Sequence, residues 1–537
     1  MKNFKKLVSI LLVMVLAVSM LSGCSKKDTA DVSTKDSEPT KAAESTATET
    51  KDEGPMTISV MGVDWGYGPK QNSAMEQYWE EQFGVSLDIE WVSYTDYSQK
   101  LNTLLSSGKT EDIPDVIQII KADGSFYYPV LAQAIDAGTF LNLKPYLFDN
   151  GFVSNNAIMS TWSDQIWKNA TYNDGIYILP RSTSEVALNS GIEVRRDLMK
   201  KYGYTTEPTT MDELKDWLIG LSKDSGLYAL DFSTADIDDN RLKAFSVAYT
   251  GVQDWGIDAG GNFQYYTFAD GYVDFLKWMK DLYAAGAIDP EFILNQTDNS
   301  KWKAGKSVAF LSTWYNWNQS ETNKSVFDDS ADASAEAWCL MPVKGPKQYT
   351  VNVDDYGFNE AVMINAKCSE EKVQKIMEVF NHTEEDYLKV MKYGVEGVHY
   401  SLDANGNRVQ DDAQKTASQE GYVGAWNQIF LKGNADMVTD KFVAKNCTQE
   451  YIDRATQLKE FTEKVAGESD QRTKNLNLLS TTYSSSWSTL TADLDDMRAK
   501  FIMGEISEED WSAYADSIVN SAEYQAILAE YKEAASK

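Results

Sequence analysis

Two stretches of this 537-residue chain set large aromatic rings beside acids and amides in turn-rich sequence: Asp64-Trp65-Gly66-Tyr67-Gly68-Pro69 and Trp314-Tyr315-Asn316-Trp317. Residues of these types in this setting suit the binding of a sugar. A ring face covers the apolar C–H patches of a ligand such as a pyranose, while carboxylates and amides hydrogen-bond the hydroxyls around its edge. The chain has an excess of such rings, with 15 Trp and 29 Tyr in a 12% aromatic content. About half of single tryptophans serve core packing. Trp65 and Trp314 stand apart because each follows a strand-like run, Met56 to Val63 and Ser307 to Leu311. Open α/β sheets bind ligands beyond the carboxyl ends of their strands.

Nucleophilic and metal chemistry has little to draw on. The two histidines, His382 and His399, argue against most zinc sites and weaken any Ser/His or Cys/His nucleophile. Cys24, Cys339, Cys368 and Cys447 are too few and too scattered for a disulfide framework. Asp403 to Asp412 places oxygen groups at alternate positions, the spacing of a calcium loop. The acid that should close such a loop is missing, and Asn405-Gly406 is a strong turn signal, so a hairpin and no cofactor are expected, with calcium at this loop as the alternative. The rival from another class is a lipid-anchored glycoside hydrolase, which needs two carboxylates across a sugar bond. No pair is singled out by its sequence context.

The first residues decide the compartment. Lys2, Lys5 and Lys6 precede an apolar run, Leu7 to Ser22, that is too short to span a bilayer and reads as a secretory signal. Leu21-Ser22-Gly23-Cys24 resembles a bacterial lipobox, which implies cleavage before Cys24 and lipid on its thiol. From Ser25 to about Gly54 the chain is Ser, Thr, Lys, Asp, Glu and Ala without an aromatic residue, the composition of a disordered tether. A formal charge of -31 argues against nucleic acid and against tight docking of the folded surface on anionic lipid.

The remaining residues, about 480, exceed what one core usually organises, so two domains are expected. Met56–Met61 reads as a strand, Asn72 to Phe83 as a helix ending at Gly84, and Val85–Trp91 as a second strand. A helix over Tyr97 to Ser107 and a strand over Val116–Ile120 complete a β-α-β-α-β series, the signature of a parallel sheet. Glu185 to Val194 looks extended. Thr210-Met211-Asp212-Glu213 has the cap and acids of a helix start, Gly271 to Ala285 is amphipathic, and the C-terminal part is strongly helical.

Several segments together are similar to one family. Gly175-Ile176-Tyr177-Ile178-Leu179-Pro180, then Arg195 to Tyr204, then Pro208 to Leu214 resemble the extracellular solute-binding proteins of bacterial ABC importers. Trp278 to Pro290 and Lys303 to Asn318 resemble the carbohydrate-binding branch (family 1), and Tyr393 to Asn407 a signature of its large LplA/LipO-like lipoproteins, found mainly in Gram-positive bacteria. The resemblance implies an α/β, two-lobed periplasmic-binding-protein-like (type II) fold with a hinge, each lobe a mixed sheet flanked by helices. It implies a signal over 1–23, a lipidated tether over 24–55, lobe one over 56–185 plus 345–400, and lobe two over 186–344 plus 401–537.

Carried over position by position, the resemblance assigns ligand contacts to Asp64, Trp65 and Tyr67 after the first strand and to Lys121 and Asp123 after the third. Trp314 and Tyr315 supply a second platform, and Trp487, or Tyr483 in its place, a third. Arg181, Glu185, Asp355 and Tyr356 lie near the lobe crossings. The implied protein is a monomeric substrate-binding lipoprotein on the outer face of the cytoplasmic membrane. It captures a carbohydrate, an oligosaccharide by its size, through hinge closure and passes it to ABC permease subunits without chemistry. A peptide-binding receptor is the alternative within the binding class.

Overall fold

A computed structural model describes residues 54–66, 68–120, 126–156, 158–162, 164–182, 191–231, 240–258, 260–294, 300–312, 331–351, 358–380, 389–391, 393–404, 406, 408–423, 426, 449–467 and 480–535. The chain opens with β1 (Met56–Asp64), β2 (Val85–Ser93) and β3 (Val116–Ile120), with β1 parallel to both of the others. A two-residue hairpin, β4 (Thr171–Tyr172) and β5 (Gly175–Ile176), leads to β6 (Leu179–Ser182). Next come β7 (Gly191–Arg195), β8 (Tyr228–Asp231), the hairpin β9 (Trp255–Ile257) and β10 (Phe263–Tyr265), β11 (Ser307–Ser312) and β12 (Ala337–Cys339). Then β13 (Phe358–Ile364) returns, followed by the hairpin β14 (Ser401–Leu402) and β15 (Arg408–Val409).

Two sheets result. One has the order β2-β1-β3-β13-β6, with β13 antiparallel to both neighbours, and the other the order β12-β7-β11-β8. Both are mixed. Burial explains the sequence of each strand. In β1, Ile58, Val60, Met61 and Val63 are all buried, as expected for a parallel strand covered on both faces, whereas edge strand β2 alternates buried Val85, Leu87 and Ile89 with polar residues.

Helices Ala74–Phe83 and Tyr94–Ser106 cover the first sheet. Ser73 caps the former by accepting from the Glu76 amide at 3.2 Å, and Trp79 and Phe83, one turn apart, face inward. Helix Met211–Ser225 begins as its sequence implied, with Thr210 accepting from the Glu213 amide, and buries Leu214, Trp217, Leu218 and Leu221 under the second sheet. Each buried aliphatic side chain contributes about 1.5 to 3 kcal/mol relative to exposure.

Each sheet has its own core. One gathers residues from Ile58 to Leu179, Phe358 to Met391 and Trp426; the other runs from Ile192 to Val343 and from Tyr451 to Tyr531. The expected division drew its later boundaries differently. Residues 345–351 hydrogen-bond the second sheet's neighbours, with the Lys347 amide on Ala248 O and the Thr350 amide on Val343 O. Glu420, Tyr422 and Trp426 side with the first sheet instead, through the Lys70 amide on Glu420 O, the Tyr422 hydroxyl on Val63 O and burial of Trp426. The physical reason is that Tyr422 and Trp426 complete the aromatic packing over Trp91 and Trp79.

Candidate functional site

The parallel register of β1 and β2 runs without slip from Met56↔Val85 to Asp64↔Ser93, so the two strands end side by side. The next residue on each is aromatic. Trp65 and Tyr94 stack with ring centroids 4.6 Å apart and planes at 27°, and remain 36% and 53% exposed. Two large rings therefore lie together in water at the carboxyl edge of the sheet, where ligands enter α/β folds.

The turn that presents Trp65 is shaped by its neighbours. The Asp64 carboxylate accepts from the amides of Gly66 at 2.9 Å and Gly68 at 3.2 Å. Both glycines have left-handed backbone, φ 98° and 61°, which a side chain would strain. Behind the turn, the Trp65 amide donates to the Tyr422 hydroxyl at 2.8 Å, and that hydroxyl donates to Val63 O at 3.0 Å.

A polar chain continues beneath the corner. The Val63 amide donates to Oε1 of fully buried Gln118 at 2.9 Å, and Gln118 Nε2 reaches Glu360 Oε2 at 3.5 Å. Glu360 lies beside Arg181 in the β13/β6 register and pairs with its Nε at 3.1 Å, both side chains being nearly buried. The Tyr97 hydroxyl donates to Gln118 O at 2.5 Å, and burial pushes that phenol far above its ordinary pKa. Arg181 thus meets Glu360 in the foundation of the corner.

The family described as bacterial extracellular solute-binding protein matches residues 66–381 of this chain. The chain belongs to that family. Among curated relatives, it is 24% identical over 538 residues to the polygalacturonan/rhamnogalacturonan-binding protein YtcQ of Bacillus subtilis, covering 98% of each chain. It is 21% identical over 403 residues, 72% of each, to the lipoprotein LipO of the same organism. A solved solute-binding protein from Bifidobacterium longum infantis described as HMO-binding and associated with an ABC transporter shares the fold, with a TM-score of 0.63, 16% identity, and coverage of 89% of this chain and 99% of that one. The two-lobed architecture of solute-binding proteins is the architecture of this chain.

Within this solute-binding protein the sequence-derived candidates separate. Asp64 and Trp65 form the corner just described, with Arg181 below it. Trp487, half-buried on helix Thr481–Leu490, belongs to the other core: it stacks on Tyr483 at 5.3 Å and 21°, and meets Trp255 at 5.2 Å and Tyr265 at 4.8 Å edge-on. Tyr67, Lys121, Asp123, Glu185, Trp314, Tyr315, Asp355 and Tyr356 lie outside the described residues, as does Cys24. Strands β3, β6 and β11, which precede several of them, are described to Ile120, Ser182 and Ser312.

Sequence reasoning missed Tyr94, Tyr422 and the Gln118–Glu360 link. For Tyr94 a signal existed: it follows β2 as Trp65 follows β1.

At the suspected calcium loop, Gly406 N donates to Asp403 O at 2.9 Å in the turn between β14 and β15, and Asp411 caps the next helix by accepting from the Gln414 amide at 2.8 Å. Among the described residues no group of three or more His, Cys, Asp or Glu is placed to hold a metal ion. Cys339 and Cys368 are free thiols, the latter pushed up to about 12 by burial and then by the charge of Asp115. Among the described residues, no helix is long and apolar enough to cross a membrane.

Proposed function

We propose that this solute-binding protein captures a carbohydrate on the Trp65–Tyr94 pair and delivers it intact to an ABC permease. The exposed stack at the paired strand ends carries the reading. A pyranose laid on the outer face of the stack buries its C–H face against one ring, which contributes about 0.5 to 1.5 kcal/mol beyond area burial. Carboxylates and amides at the rim hold the hydroxyls, and the second lobe closes from the other side, with Trp314, Tyr315 and Trp487 as its platforms. Closure follows because only the closed state satisfies both faces of the ligand. Lys121, Asp123, Glu185, Asp355, Tyr356 and Tyr67 complete the polar rim.

The curated relative aligned along 98% of both chains is named for binding polygalacturonan and rhamnogalacturonan, which puts acidic pectin-type oligosaccharides first among the ligands to test. Lipid on Cys24 moors the protein outside the membrane, a placement in keeping with the family's extracellular character and with a lipoprotein relative. The mechanism calls for no catalysis and no metal. The test is thermal unfolding of the purified chain with trigalacturonate, neutral oligosaccharides and peptides. An oligosaccharide at a hundredfold excess over its Kd stabilises the fold by about 2.7 kcal/mol. Stabilisation by peptides alone, or release of new reducing ends, contradicts the proposal.

A further inference from the structure

We infer that Tyr422 is a positioning residue that holds the Trp65 ring ready for ligand; the inference rests on the reading of Trp65 and Tyr94 as a platform. Tyr422 lies 357 positions beyond Trp65, yet its hydroxyl joins the residues on either side of Asp64, accepting from the Trp65 amide and donating to Val63 O. The pairing of β1 with β3 ends at Met61↔Ile117 and that with β2 at Asp64↔Ser93, and the Tyr422 bridge ties this end of the strand.

The placement of Tyr422 is itself over-determined. Its backbone is left-handed, φ 52°, a conformation that bulky residues avoid and that persists where the surroundings impose it. The surroundings do so on three sides. A Cβ at Gly421 would lie 3.1 Å from Ala417 O, His399 Nε2 and Met75 Cγ, so a side chain there would press its neighbours aside by a few tenths of an ångström. Trp426 Nε1 donates to Gly421 O at 2.8 Å. The Tyr422 ring is buried edge-on against Trp91, 4.8 Å away at 86°.

This arrangement fixes the hydroxyl in space before ligand arrives. The Trp65 turn lies in water, and ordering it on binding would weaken affinity. A hydroxyl that already holds the Trp65 amide removes that cost. The role is distinct from packing because the ring can do the packing without the oxygen.

Tyr422→Phe separates the two in the full chain. Amide exchange of ligand-free protein is expected to show Trp65 N–H protected in the wild type and exchanging about tenfold faster in the variant, with the Val60 and Met61 amides unchanged. Affinity for trigalacturonate is expected to fall about tenfold, and that loss is expected to vanish when Tyr422→Phe is made on top of Trp65→Ala. An unprotected Trp65 amide in the wild type, unchanged exchange in the variant, or an equal affinity loss in both backgrounds overturns the role. If Trp65→Ala binds as the wild type does, the platform reading fails instead, and the exchange data still decide whether Tyr422 fixes the turn.

Discussion

The two lobes use the same aromatic residues in opposite ways. In the first, Trp65 and Tyr94 stack and stay about one-third to one-half exposed; in the second, Trp255, Tyr265, Tyr524 and Tyr531 pack within one cluster at under a tenth exposure each. The sunk cluster closes the β9/β10 hairpin against the C-terminal helices, where its apolar area stabilises the fold. The exposed pair adds little to that core. An abundance of tryptophan and tyrosine therefore says little about ligand; what separates the pair is its place one residue past two strands that end in register. Trp487, half-buried at the edge of the second cluster, stands between the two situations.

This contrast can be broken where it is strongest. Trp255→Ala removes a ring that meets six other aromatic side chains, and is expected to cost about 3 to 5 kcal/mol in chemical denaturation. A loss of under 1 kcal/mol would show that the cluster is not a core. Glu360→Ala takes the carboxylate from nearly buried Arg181 and from the Gln118 link under the Trp65 corner, at about 3 to 5 kcal/mol. Urea unfolding of this variant measures it, and a midpoint equal to the wild type contradicts the foundation described for the corner.

A smaller effect depends on pH. His399 is fully buried, its Nδ1 accepts from the Val395 amide at 2.9 Å, and burial lowers its pKa from the ordinary 6.5. The folded ring therefore stays neutral where the unfolded one takes up a proton. Its contribution is complete above about pH 6.5 and is lost as pH falls toward the folded value, at up to about 1.4 kcal/mol per pH unit. The stability difference between wild type and His399→Gln should shrink between about pH 7.5 and 5.5. A constant difference contradicts neutral burial of this ring.

Much of the fold was legible because local signals agreed with tertiary need. The apolar run of β1, the alternation in β2, the Thr210 cap and the β-α-β-α-β order each pointed to the element that forms. Trp65 was legible for the same reason, as an aromatic residue at a strand end beside Asp64. The Tyr422 bridge was not, since no local pattern in Gly421-Tyr422-Val423 announces a partner hundreds of residues earlier. The same applies to Tyr422 and Trp426, whose attachment to the first lobe is decided by long-range packing on Trp91 and Trp79. Arg181 read as a polar residue near a lobe crossing, and only the β13/β6 register reveals Glu360 beside it.

The central claim is that the Trp65–Tyr94 stack is a ligand platform rather than a piece of core. Calorimetric titration of trigalacturonate and neutral oligosaccharides into the wild type and Trp65→Ala, with the unfolding midpoint of each, tests it most directly. The account predicts about tenfold weaker binding, near 1.4 kcal/mol, with a change in stability within about 0.5 kcal/mol. Unchanged affinity for every ligand that the wild type binds, or a loss of stability as large as that of Trp255→Ala, would contradict it.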